Sequence, residues 1–95
     1  MKNIDQLRLE IDQIHLQLNQ LLLQRLHLAE EIWTIKKSQA QNLTDSAREQ
    51  KMIDLFLKIE TCDLEKEFLK NIHTAILQNS KNCLMQKMKA IYYNK

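Results

Sequence analysis

Not one glycine or proline occurs in the 95 residues of this chain. Without glycine no residue tolerates positive φ at ease, and without proline none presets a turn or breaks a helix, so the usual punctuation of hairpins and tight loops is missing. What remains is dominated by Leu, Lys, Gln, Glu, Ala and Ile, and the fold class this implies is all-α. Arginine is scarcer even than the aromatics, occurring only at Arg8, Arg25 and Arg48. The net charge is only +2, with the signs interspersed, which leaves no footprint for DNA or RNA.

Other absences narrow the chemistry. Cys62 and Cys83 stand apart, without metal-ligand or CxxC spacing, and the opening MKNIDQLRLEID has no apolar core of a secretory signal. A soluble cytoplasmic protein with reduced thiols is expected. Apolar runs such as Leu21-Leu22-Leu23 are far too short to cross a bilayer. His15, His27 and His73 are scattered singly, with neither an HExxH pair nor a triad around them, so metal and nucleophilic catalysis are not expected, and no cofactor is implied.

Present in strength is a heptad pattern. Ile4, Leu7, Ile11, Ile14, Leu18, Leu21, Arg25, Leu28, Ile32 and Ile35 form one seam, which predicts a helix over about residues 4–37, roughly 50 Å long. The stretch SQAQN at 38–42 loses apolar character and marks a break. A second helix is expected over about 45–60, opened by Thr44-Asp45-Ser46 with Asp45 or Ser46 as cap. Ser46-x-x-Glu49 there matches a capping box, and Met52, Ile53, Phe56 and Ile59 form the apolar face. After a turn at Thr61-Cys62-Asp63, with Asp63 as cap, a third helix is expected over about 64–92, with Leu69, Ile72, Ile76, Ser80, Leu84 and Met88 on one face. Trp33 and Phe68 read as core or interface residues.

Residues 1–95 thus read as one domain of three helices, long, short and long. Leu16, Leu22, Leu23 and Leu26 lie off the first seam, so the first helix needs cover on more than one side, and two shorter helices of the same chain cover only one. An intertwined homodimer is the expected assembly.

Arg25 is the anomaly in the seam, because a guanidinium placed among aliphatic groups requires an anion. That anion is either a carboxylate of the fold, such as Glu30 or Glu31 of a neighbouring helix, or an anionic ligand. Lys36 follows eleven positions later, close to three turns, so it shares the face of Arg25 about 17 Å along the axis. Arg8 lies about 26 Å before Arg25 and on a different face, so it joins the same site only from another subunit. Asp45, Arg48 and Glu49 share the first turn of the second helix, where amides and an arginine suit an anion or a hydroxyl group. Each residue also has a plainer role. Arg8 and Lys36 can flank a seam, Asp45 and Glu49 can cap, and Ser80 can bond the preceding turn.

Taken jointly, these spacings resemble the all-helical chorismate mutases. The segment LRLEIDQIHLQLNQLLLQRLHLAEEIWTIKK is similar to their first helix, with Leu-Arg-x-x-Ile-Asp and Arg-x-x-Leu-Ala, and TDSAREQKMI is similar to the start of their second. The resemblance covers about residues 4–88. It implies an intertwined dimer with two sites that convert chorismate to prephenate without a cofactor or metal. Arg8 of the partner and Arg25 would hold the two carboxylates, with Ser80 assisting, and Lys36 would face the ether oxygen of the breaking bond. Glu49 and the backbone at Asp45 would bind the ring hydroxyl, with Arg48 supporting that corner.

One departure stands out. The family usually has a Gln four residues after the serine, as a second donor to the ether oxygen, and here that position is Leu84. Shifting the alignment to use Asn82 and Gln86 needs a two-residue insertion and misplaces Phe68 and Ile72, so the ungapped reading is preferred. Reduced activity is expected. Two rivals are an isochorismate pyruvate lyase on a similar scaffold and a weakly active or inactive helical dimerisation module.

Overall fold

The computed structural model of the chain describes residues 1–43 and 45–93. They form three helices, α1 (Ile4–Ser38), α2 (Ser46–Phe56) and α3 (Asp63–Tyr93), with no strand among the described residues. This is the all-α, long, short, long order that the sequence pattern implies. The chain divides into two compact units, Met1–Ile35 and Lys36–Lys95.

In the first unit α1 begins with a reciprocal cap that the sequence reading does not include. Asn3 Oδ1 accepts from the Gln6 amide at 2.9 Å, and Gln6 Oε1 accepts from the Asn3 amide at 3.0 Å, so two otherwise orphaned donors are satisfied. A cap of this kind stabilises a helix by about 1 kcal/mol. Asp5 in the first turn complements the helix dipole. Trp33, placed in a core or interface by the sequence, is 6% exposed. The aliphatic residues of the heptad seam are exposed, with Leu7, Ile11, Ile14, Leu18, Leu21, Leu28, Ile32 and Ile35 between 43% and 61%. Leu16, Leu22 and Leu23 are exposed as well, and Leu26 is half-buried. The second apolar side of α1 is therefore largely exposed among the described residues.

The second unit opens with the end of α1. The Gln41 amide donates to the Lys36 carbonyl at 2.7 Å and the Ala40 amide to the Lys37 carbonyl at 3.2 Å, the paired bonds of a Schellman motif. Such an end needs a left-handed residue, and a chain without glycine places Ala40 there at φ 53°. The methyl group makes that conformation cost on the order of 1–2 kcal/mol.

Asp45 caps α2, its Oδ1 accepting from the Arg48 amide at 3.0 Å. The cap is therefore Asp45 rather than Ser46, and the Ser46-Glu49 box does not form. Thr44, the first residue of the expected start signal, lies outside the described residues. At its far end α2 stops at Phe56, about one turn before the expected Glu60. The Lys58 amide bonds Leu55 three residues back, which tightens the final turn, and the residues beyond are drawn into the start of α3.

At that start the Lys66 amide donates to the Cys62 carbonyl at 3.0 Å, which makes Cys62 the cap and Asp63 the first helical residue. The expectation of Asp63 as cap is corrected accordingly. The Asp63 carboxylate still favours the positive end of the helix dipole. Glu65 reaches back, and its carboxylate accepts from the Thr61 hydroxyl and the Cys62 thiol. These bonds, the Thr61 hydroxyl first and the Cys62 thiol next, hold the Glu65 carboxyl below its usual value of 4.5 against the opposing effect of desolvation, with a lesser contribution from the Cys62 backbone.

Two contacts set α2 against α3. The Phe56 and His73 rings lie 4.7 Å apart between centroids, tilted by 32°. Glu49 Oε2 accepts from Lys81 Nζ at 2.8 Å. Stepping back seven residues along α2 corresponds to stepping forward eight along α3, each about two turns, so the two helices run antiparallel. Leu84, at 2% exposure, is the deepest apolar side chain of this unit. The half-buried stripe of α3 includes Leu69, His73, Ile76, Leu77, Ser80, Lys81, Leu84 and Met88. It follows the expected face except at Ile72, which is 45% exposed while His73 turns inward onto Phe56. Phe68 is 63% exposed and takes no place in the core of the chain.

Candidate functional site

The first unit carries Arg8 and Arg25. Arg8 stands out in solvent at 73% side-chain exposure, with Nη1 3.9 Å from Asp5 Oδ1, a loose pair that leaves the guanidinium available at the surface. Arg25 is half-buried along the seam face. An open groove of roughly 570 Å³ on the same helix is lined by His27, Glu30, Glu31, Thr34 and Ile35. Its two carboxylates carry the wrong sign for a dianion, so this groove is not the anion site that the sequence implies.

The second unit carries Lys36, Asp45, Arg48, Glu49, Ser80 and Leu84. Lys36 is half-buried, and its carbonyl is engaged in the Schellman motif. At the start of α2 the Asp45 carboxylate occupies the Arg48 amide, so an amide expected to meet a ligand is satisfied from within the chain. The Asp45 carbonyl accepts from the Glu49 amide at 3.0 Å. The exposed Arg48 side chain lies along its own helix, Nη1 donating to Met52 Sδ at 2.8 Å.

Glu49 is where α2 meets α3. Its side chain is 25% exposed and that of Lys81 23%, and their pairing brings Glu49 beside the turn of α3 that carries Ser80. Ser80 Oγ donates to the Ile76 carbonyl at 2.6 Å, the back-bond of its plainer reading. Leu84, one turn further on, presents only an aliphatic side chain and is 2% exposed.

The structure thus joins Asp45 to Arg48 and links Glu49 to the Ser80 turn through Lys81. Lys81 belongs to no motif in the sequence. The available signal was positional, since it lies eight residues after His73 and one after Ser80, on the face that α3 turns to α2. Among the described residues there is no group of three or more His, Cys, Asp or Glu side chains able to hold a metal ion. No helix is long and apolar enough to cross a membrane.

No curated protein matches the chain. The family model of chorismate mutase type II matches residues 7–83. That span contains Arg8, Arg25, Lys36, Asp45, Arg48, Glu49 and Ser80, and it stops one residue short of Leu84. With the match running over most of its length and an all-helical fold to go with it, the chain belongs to the chorismate mutase type II family.

Proposed function

We propose that this protein converts chorismate to prephenate, a step towards phenylalanine and tyrosine, in the cytoplasm and as an intertwined homodimer with two equivalent sites. The observation that carries the reading is the family match over residues 7–83, which takes in every proposed site residue except Leu84. The uncovered apolar seam of α1 supports the dimer. A helix of 35 residues with this much exposed Leu and Ile requires a partner surface, and a second α1 supplies one of matching period.

The reaction is a unimolecular rearrangement in which one C–O bond breaks as one C–C bond forms, so no nucleophile, metal or general base is needed. The protein has to hold a flexible dianion in its reactive shape and stabilise negative charge as it grows on the ether oxygen. In this reading Arg25 and the partner subunit's Arg8 hold the two carboxylates, Ser80 assists, and Lys36 donates to the ether oxygen. Glu49 and the backbone at Asp45 receive the ring hydroxyl, with Arg48 beside them.

Chorismate consumption by the wild-type protein, compared with Arg25→Ala and Lys36→Ala, tests the proposal. Formation of prephenate, reduced at least 100-fold in each variant, is the expected result. Equal turnover in all three proteins contradicts it, and release of salicylate from isochorismate instead identifies the lyase. A specific observation favours a second reading, that of a dimerisation module with little activity. The position of the usual donor is filled by Leu84, and that leucine is packed at 2% exposure.

A further inference from the structure

Lys81 has no part in the family pattern set out above, yet its ammonium group crosses from α3 to Glu49 on α2 at 2.8 Å, with both side chains about three-quarters buried. As a fastening this is a poor choice. Drawing two charges partly out of water carries a desolvation cost that a packed aliphatic pair avoids, and the gain from such a pair rarely exceeds that cost by much. A half-buried ion pair at a ligand corner does have a use that an aliphatic pair lacks, because it presents a donor and an acceptor side by side.

The hydrogen-bond inventory makes the point concrete. The Lys81 ammonium has three N–H donors and gives one to Glu49 Oε2. The carboxylate has a second oxygen, Oε1, with its own lone pairs. A hydroxyl group is the neutral function that both gives and takes a hydrogen bond, so it fits this pair on both sides. Resting on the reading of Glu49 as the hydroxyl-binding residue, we infer that Lys81 is a specificity-determining residue of the same site. The Glu49–Lys81 pair recognises a ring hydroxyl at both its ends, the hydroxyl proton donating to Glu49 Oε1 and its oxygen accepting from Lys81 Nζ. The ligand class selected is therefore a hydroxylated cyclic dicarboxylate over its deoxy counterpart.

The test is calorimetric titration of two bicyclic dicarboxylate ethers that mimic the rearranging substrate, one with the ring hydroxyl and one without. Wild-type protein should prefer the hydroxylated compound by about 100-fold, roughly tenfold for each hydrogen bond to a charged group. In Lys81→Met the preference should fall to about tenfold, with affinity for the deoxy compound within about twofold of wild type. Lys81→Arg should restore most of the preference. Lys81→Gln, which keeps a donor without the charge, should fall between and serves if the Met variant does not fold. A merely structural Lys81 would weaken both compounds alike, and that result, or an unchanged preference, overturns the inference while leaving the proposed function standing. Wild-type protein that binds neither compound overturns the proposed function and this inference with it.

Discussion

At the scale of single residues, Leu84 and Glu49 pull the account in different directions. Leu84 is the most deeply packed apolar side chain of the α2–α3 unit, so its side chain contributes to folding whatever else the position does. In the proposed reading this position is the one where an amide would donate to the ether oxygen. Leu84→Gln is therefore expected to raise chorismate turnover by about 10- to 100-fold, less than the full worth of an oxyanion donor because the surroundings have adapted to leucine. The same change should lower stability by about 1–3 kcal/mol, since a packed site receives a polar group. Steady-state kinetics and urea denaturation on one preparation measure both. A variant that loses stability without gaining turnover would show that position 84 does not face the reacting atoms. Glu49 reads differently from the sequence, where it is either a cap or a ligand group. It does not cap its helix, and its partner is a lysine 32 residues away that no local pattern announces.

At the scale of elements, the helix ends decide how far sequence reasoning reaches. The end of α1 bends through Ala40 at φ 53°, a place where most chains would use glycine. Ala40→Gly removes the steric cost of that conformation, and greater freedom in the unfolded chain offsets part of the gain. A net stabilisation of about 0.5–1 kcal/mol is expected, read as a higher urea midpoint at fixed protein concentration. A lower midpoint would mean that the Schellman motif is not the ground state of this segment. The helical period itself was plain in the sequence, because seam residues at every third or fourth position extend from Ile4 to Ile35. The stop after Phe56 was not legible, because Ile59 continues the apolar spacing while Thr61, Cys62 and Glu65 claim the neighbouring backbone for the next cap. For the same reason Asp63, a residue type that caps well, proved to be one position too late. The Asn3–Gln6 cap was visible in principle as Asn-x-x-Gln, but Asn and Gln make a weaker signature than Ser and Glu.

At the scale of the whole molecule, the exposed apolar surface supports the proposed dimer. The chain exposes aliphatic seam residues along α1, and Arg8 and Arg25 lie seventeen positions apart on that one helix, about 26 Å, too far to converge on a small ligand. The proposed two-fold dimer of interlocked α1 helices would cover the seam and would deliver Arg8 to the site of the other subunit. Exposure of Phe68 (63%) and Ile72 (45%) on α3 is consistent with the same proposed assembly. The sequence made the apolar character of two sides of α1 legible through Leu16, Leu22 and Leu23, and these three side chains are exposed in the structure. The Lys81–Glu49 pair was not legible, since Lys81 reaches Glu49 only through the packing of α2 on α3.

The central claim is that each site is built from two chains, with Arg25 from one and Arg8 from the other. Arg8→Ala and Arg25→Ala should each abolish chorismate turnover as separate proteins. When the two inactive variants are unfolded together and refolded as an equimolar mixture, half of the dimers are mixed and each mixed dimer has one intact site, so about a quarter of wild-type activity should return. If the mixture stays as inactive as its components while the wild-type protein, treated identically, recovers its turnover, the two arginines do not serve a shared site across the dimer and the account fails.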